Sequence, residues 1–574
     1  MKPANGLRRD EFPTSTLPGW LENVITGLSG LLVGYLFVRR GLFVRLPKEA
    51  DIAAGVLDVL VIALLALDIL PLYRERRTWF HVWRRLWFDT VLLVAAIPAS
   101  ASLSWGAVLV LLRQVVHYGR RGALGAFADS LGRRPIALLA ASFAALAGAG
   151  TVLLLLPAAT NDGRGLPFID ALFTAASAAC VTGLTVMDLG SVLSRFGQTV
   201  VLALIQLGGL GIMTFYAGLA LTLGVRLTIA QRRSLSVAVD EPRGFELART
   251  LRYVLLLTIT AELAGTALLY SRMAPRLGSP GESLYAAVFH SVSAFCNAGF
   301  GLFPDNLVSF QNDWLVNLTI IGLIVLGGIG FSVAHEIFSR ETFKRSPRAT
   351  WRQVSTHSRL ALTATGFLIV FATAFFLVRE YNNALAGLSP ATKLLASLFQ
   401  AVTPRTAGFN TVPMSSLHPA TVLCWVLLMF IGASPGGTGG GIKTTTAAVL
   451  LLAVRSQFRG RSELEYAGRT IPKVTVFRAT SVVTLSALAL LLAFGTLLMT
   501  EAQPFGALLF EAASAFGTVG LSTGITPVLS VTGKLVLTLL MYVGRIGPLT
   551  FVLAMRVRER TAPVAYPSAR IMVG

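Results

Sequence analysis

Apolar residues fill the chain in runs too long for the core of a globular domain, and short polar stretches punctuate them. From about residue 135 the runs recur in one order: long apolar helix, loop, short apolar segment, glycine-containing turn, second long helix, basic loop. The short segments lie near 167–179, 282–295, 390–404 and 504–516. A bilayer crossing takes about 20 apolar residues, so these four are too short to span and are expected to be re-entrant helices. Pro167, Pro280, Pro390 and Pro504 open them. Proline suits a helix's first turn, where its missing N–H would have no partner. The pattern predicts an all-α polytopic membrane protein with helix–re-entrant helix–helix repeats at 135–225, 250–340, 358–455 and 472–558. A helical membrane extension over 1–134 precedes them, and a cytosolic tail over 559–574 follows.

Composition supports the bilayer as solvent. Of 574 residues, 54% are apolar and 13% charged, against roughly 25% charged in an ordinary globular domain. The net charge of +21 would suggest nucleic acid in a soluble protein; here its placement argues otherwise. Arg226, Arg232, Arg233, Arg243 and Arg249 lie between two apolar segments, as do Arg340, Lys344, Arg345, Arg348 and Arg352. Arg455, Arg459, Arg461, Arg469 and Lys473 continue the series, which closes on Arg556, Arg558 and Arg560. The alternate loops, such as 301–313 and 410–420, are nearly free of basic residues. Lys and Arg concentrate on the cytoplasmic side of membrane proteins, so the poor loops face outward and no nucleic acid partner is implied. Cys180, Cys296 and Cys424 match no disulfide, zinc or redox spacing, and the six histidines show no metal-ligand spacing. The polar N-terminus carries no secretory-leader pattern.

The turns that follow the short segments stack in register. Cys180-Val181-Thr182-Gly183 aligns with Cys296-Asn297-Ala298-Gly299, with Arg405-Thr406-Ala407-Gly408 and with Gly517-Thr518-Val519-Gly520, and a large apolar residue follows each final glycine. Phe173, Phe289 and Phe510 precede their glycine by ten residues, whereas Phe399 precedes Gly408 by nine. Irregular backbone survives at membrane depth only when buried in protein or lining a watery cavity. Glycine tolerates positive φ, so successive carbonyls can face one side. Four such strands around an axis give rings of oxygens that replace the water shell of a monovalent cation. The expected ligands are the carbonyls of Thr182, Ala298, Ala407 and Val519. The short helices end near mid-membrane, so their negative C-terminal ends favour a cation between them. Asp170 and Glu282 lie near the positive N-terminal ends of two of them, where they complement the dipole or draw cations to the mouth; Glu511, mid-helix, is expected to pair locally.

Below the turns two features stand out. Leu207-Gly208-Gly209-Leu210-Gly211 matches Leu326-Gly327-Gly328-Ile329-Gly330, and the fourth copy reads Val543-Gly544-Arg545-Ile546-Gly547. An arginine at the centre of an apolar helix costs about 2.5–3.5 kcal/mol on insertion scales and usually faces the interior. Arg545 is either a fixed charge beneath the filter or a snorkelling side chain near a helix end. The third copy is interrupted by 432–441, a run of six glycines and a proline that cannot sustain a helix. Gly437 to Thr444 resembles a phosphate loop, but Ile442 rather than glycine precedes Lys443 and no strand leads into it. The expected reading is a flexible plug under the filter, with a passive kink as the alternative; the plug would comprise Gly436, Gly437, Thr438, Gly439, Gly440 and Gly441, with Lys443 and Arg545 beside it.

These residues resemble the Trk/Ktr/HKT superfamily of potassium transporters, most closely its KtrB/TrkH pore subunits. The resemblance covers about 135–560 and rests on the four turns, on Thr403-Pro404-Arg405-Thr406-Ala407-Gly408-Phe409-Asn410, on the Gly-rich loop with Ile442-Lys443, and on Gly544-Arg545. It implies a pseudo-fourfold pore within one chain at the cell membrane and a homodimer. The implied partner is a cytosolic nucleotide-binding ring of the KtrA/TrkA type meeting the basic inner surface. Gly183, Gly299, Gly408 and Gly520 would be the filter glycines, 432–441 the gate and Arg545 the charge working with it. In plant relatives a serine at the first filter glycine goes with sodium transport; Gly183 therefore favours potassium. No cofactor is implied beyond the transported K+, with Na+ as a candidate coupling ion.

The first 130 residues depart from that pattern. Apolar segments near 23–38, 53–73 and 86–112 are flanked by basic clusters that simple alternation cannot all place inside, which leaves an interfacial helix and a re-entrant hairpin as alternatives. Their arginines do not recur every third residue, which argues against a voltage sensor. Two other functions compete: the potassium-binding subunit of a P-type ATPase complex, and an ion-coupled solute transporter. The latter predicts inverted repeats, whereas these units run in one orientation. No catalytic cluster of His, Cys or carboxylate occurs, so an enzyme is not expected.

Overall fold

In the computed structural model, the described residues are 135–211, 247–338, 354–461 and 463–548, together with 28, 351 and 550. The expectations for the N-terminal extension, for the basic segments over 212–246 and 339–350, and for the tail lie outside them.

The first repeat comprises α1 (Pro135–Leu154), the re-entrant α2 (Phe168–Ala179) and the inner helix α3 (Arg195–Leu210). The second comprises α4 (Leu247–Leu277), α5 (Pro280–Phe295), α6 (Trp314–Gly328) and its continuation α7 (Phe331–Phe338). In the third, α8 (Thr356–Glu380) and α9 (Pro390–Val402) precede an inner helix divided into α10 (Pro419–Phe430) and α11 (Thr444–Phe458). A hairpin of β1 (Leu464–Tyr466) and β2 (Arg469–Ile471) leads to the fourth. Its turn is Ala467-Gly468, both at positive φ, the geometry tight hairpins require. This small sheet, Glu465 opposite Thr470, is an addition to the predicted all-α architecture. The fourth repeat is α12 (Lys473–Thr500), α13 (Phe505–Gly517) and α14 (Val531–Ile546).

Among the described residues, three helices are long and apolar enough to cross a membrane: Tyr253–Leu277, Thr356–Glu380 and Lys473–Thr500. The pair α6 and α7 gives a fourth span, bent by 107°. These long helices keep large apolar side chains exposed, such as Leu263, Phe367, Val370 and Leu491, as a lipid-facing surface demands. The re-entrant helices are the opposite: short, rich in Ala and Ser, and sheathed on nearly every side. In α2, eight of the twelve residues are buried. The phenylalanine that marks each copy, Phe173, Phe289, Phe399 and Phe510, is fully buried in every repeat.

The inner helices begin at side-chain caps. Ser194 accepts from the Gly197 N–H, Asp313 from Leu315 and Val316, and Ser530 from Gly533; each satisfies orphan donors of a first turn. They also end at one level. The last glycine of the motif takes positive φ in three copies: 73° at Gly211, 94° at Gly330 and 90° at Gly547. The interruption predicted for the third repeat alone therefore has a counterpart in all four.

Candidate functional site

Each re-entrant helix delivers its chain into a turn where two residues are left-handed: Val181 and Gly183, Asn297 and Gly299, Thr406 and Gly408, Thr518 and Gly520. The residues between them, Thr182, Ala298, Ala407 and Val519, are not. This alternation of handedness is what turns successive carbonyls the same way. The four turns meet. A Cβ on Gly183 would strike the carbonyl oxygen of Ala298, and one on Gly299 would come 2.7 Å from that of Ala407. A Cβ on Gly408 would strike the Val519 carbonyl, and one on Gly520 that of Thr182. The sequence 183, 299, 408, 520 and back to 183 is a closed cycle. Glycine is required there by crowding as well as by φ.

A hydroxyl behind each turn fastens it to its helix. Ser177 donates to the Leu184 carbonyl and Ser293 to that of Phe300, each at 2.8 Å, and Thr403 donates to that of Phe409 at 2.5 Å. Ser514 instead accepts from the Gly520 N–H at 3.0 Å, as Ser177 does from Gly183 at 3.1 Å. Sequence reasoning missed these four residues, although a signal existed: each stands four residues after the marker phenylalanine. That register also places the residue missing from the third copy. Phe399 to Thr403 keeps the common spacing, so the deletion falls between Thr403 and Gly408.

Of the predicted turn residues, Cys180 and Cys296 are fully buried. Arg405 sends its side chain into the protein, where Nη2 donates to Thr365 Oγ1 at 3.2 Å. Asn297 and Thr406 are hydrogen-bonded to each other at 3.1 Å beneath the glycines.

The Gly-rich loop lies directly under this ring. Its ends are clasped: the Gly432 N–H donates to Ile442 O at 2.8 Å, and Ile442 pairs with Ile431 in a parallel bridge. The Gly440 N–H donates to Thr518 Oγ1 at 3.0 Å, and the Phe331 N–H to Gly436 O at 3.0 Å. Ser434 and Thr438 donate their N–H groups to the end of α6, at Gly328 and Gly327. The loop thus spans from its own repeat to the second and the fourth. Lys443 Nζ donates to Gly439 O at 2.7 Å.

Arg545 sits in the last turn of α14, because the helix stops at Ile546 rather than continuing. It does not snorkel. Nη1 donates to the Thr438 carbonyl, and Nη2 to Gly208 O at 2.5 Å and Gly209 O at 3.3 Å. One guanidinium joins the loop to the end of α3. Beneath loop and arginine a cavity of about 700 Å³ opens, lined among others by Gly209, Phe331, Gly439, Lys443, Arg478 and Arg545.

The peripheral carboxylates are paired. Asp170 accepts from Lys534, Glu282 pairs with Arg195, and Glu511 accepts from Ser522 Oγ, the Thr523 N–H and Thr526 Oγ1. Asp170 and Glu282 are thus engaged between repeats. Glu511 pairs locally and holds the outer loop behind the fourth turn. Among the described residues no group of three His, Cys, Asp or Glu side chains could hold a metal ion.

Comparison with known proteins places the chain in a family. The family TrkH, described as cation transport protein, matches residues 133–562. The Ktr system potassium uptake protein B of Bacillus subtilis is 41% identical over 427 residues, covering 74% of this chain and 93% of that protein. The potassium/sodium uptake protein NtpJ of Enterococcus hirae is 34% identical over 447 residues, covering 77% and 97%. The crystal structure of the potassium transporter TrkH from Vibrio parahaemolyticus superposes with a TM-score of 0.59 at 19% identity, covering 94% of this chain and 99% of that one, a likeness of fold. The chain belongs to the TrkH family of cation transport proteins.

Proposed function

We propose that this chain is the membrane subunit of a potassium uptake system of the Ktr/Trk type. The observation that carries the reading is the closed cycle of four glycines, each set against the carbonyl of the next turn. A potassium ion arriving from outside exchanges its water for the carbonyls of Thr182, Ala298, Ala407 and Val519. The hydroxyls of Ser177, Ser293, Thr403 and Ser514 fix these strands, so the ring cannot shrink around a smaller ion without breaking hydrogen bonds. The negative ends of the re-entrant helices stabilise the ion as it leaves the ring. Residues 432–441 then bar the path, locked by Lys443 and Arg545, and the conformation described here is closed.

Sodium is proposed as a coupling ion, in line with the potassium/sodium uptake protein NtpJ of Enterococcus hirae. Two copies of the chain with a cytosolic nucleotide-binding ring complete the proposed system. Complementation of a potassium-uptake-deficient strain, with and without the co-expressed ring protein, tests the reading. Growth at limiting potassium that needs the chain supports it. A well-expressed chain that restores no growth in either arm sinks it.

A further inference from the structure

At the level where the inner helices end, backbone carbonyls lose their helical partners, as at any helix C-terminus. In three repeats, N–H groups from residues 434–442 replace them. Thr438 donates to Gly327 O and Ser434 to Gly328 O at 3.0 Å, while Gly441 donates to Gly544 O and Ile442 to Phe430 O at 3.3 Å. Among the described residues, the first repeat receives no loop amide. Gly208 O accepts from the Gly211 N–H at 3.3 Å within its own turn, and Arg545 Nη2 reaches both Gly208 O and Gly209 O. The same guanidinium holds the Thr438 carbonyl.

This is an unusual setting for an arginine. No carboxylate or phosphate faces it among its hydrogen-bond partners, the ligands its fork geometry serves best. Its charge is met by three carbonyl oxygens and by the negative end of α3. Neutral carbonyls around a single positive charge are the ligand set of a potassium ion. Gly209, Gly439 and Arg545 line the 700 Å³ cavity below, from which water can complete a coordination shell.

We infer that the carbonyls of Gly208, Gly209 and Thr438 form a potassium site beneath the filter, filled in this conformation by the Arg545 guanidinium as a tethered stand-in cation. The inference rests on the reading of the chain as a potassium pore. It gives the lock a mechanism. A potassium ion that takes these oxygens displaces the guanidinium, and a hydrogen-bonded bridge anchored on α14 gives way to an exchangeable ion. The loop is then released by the ion it obstructs.

Equilibrium binding of radioactive rubidium to the purified full-length protein tests this. Arg545→Ala should bind about one more ion per chain than the parent, as one vacated carbonyl site requires. Millimolar guanidinium should displace that extra ion and leave the rest. Arg545→Lys, which keeps a tethered cation, should show no gain. Arg545→Met, closer in length, serves if the alanine variant does not fold. Equal binding in parent and uncharged variants overturns the inference, as does extra rubidium indifferent to guanidinium. A folded parent that binds no rubidium overturns the filter reading instead, so the two failures are distinct.

Discussion

Lys534, near the start of α14, donates to Asp170 on α2 at 2.7 Å, and both side chains are largely shielded from solvent. The contact joins the last repeat to the first across 364 residues of chain and closes the ring of repeats on its outer side. Tyr542 does the same deeper down, donating to Ala140 O at 2.6 Å. Arg195 plays the corresponding part between the first and second repeats, paired with Glu282 while lying 4.2 Å over the Tyr285 ring.

Asp170→Asn should therefore weaken the assembly around the filter. A hydrogen bond to a charged group contributes about 1.5–3 kcal/mol, and the variant leaves Lys534 without its charge partner. Thermal unfolding in detergent should move down for Asp170→Asn and for Lys534→Met, and the double variant should lose less than the sum of the two. Additive losses would mean that the pair is not coupled.

Gly183→Ser should reduce discrimination between potassium and sodium. Its Cβ would meet the Ala298 carbonyl, and its φ of 95° disfavours any L side chain. The ring would have to widen locally. Uptake of both ions, measured in cells lacking other potassium systems, should show the ratio falling. An unchanged ratio would remove Gly183 from the filter.

Ser177→Ala, Ser293→Ala and Thr403→Val each delete one fastening. Each should reduce stability by about 1 kcal/mol, as loss of one hydrogen bond does, and loosen selectivity more than it slows uptake. Thr403→Ser, which keeps the hydroxyl, should behave like the parent. If the serine and valine variants at 403 select ions equally, the hydroxyl has no part in shaping the filter.

Deleting 434–440 should raise flux, because the bonds from these residues to Gly327, Gly328, Phe331, Thr518 and Arg545 are then lost. Arg545→Gln should raise it as well by freeing Thr438 O and Gly209 O from a fixed charge. Proteoliposome flux measurements check both. A folded deletion variant that conducts no better than the parent would show that the loop is not the barrier.

Much of this was legible along the chain. Segment length set the four short proline-led helices apart from the long apolar ones, and the stacked glycines marked four equivalent turns, because positive φ leaves so few alternatives. The glycine pairs at 208–209 and 327–328 were equally visible, but their purpose was not. Gly208, Gly327 and Gly544 are needed because a side chain there would strike the carbonyls of Ala179, Phe295 and Phe516, a crossing of two helices that no local pattern encodes. Arg545 is a sharper case. Periodicity placed it in the middle of an apolar helix, whereas the positive φ of Gly547 puts it in the last turn, where a guanidinium can reach free carbonyls. The sequence by itself determined the repeat, the bilayer and the residues with unusual backbone freedom, since these follow from local sterics and hydrophobicity. Which turn adjoins which, and which oxygens the guanidinium of the lock holds, depends on groups more than 100 residues apart, and only the packing of the folded chain brings them together.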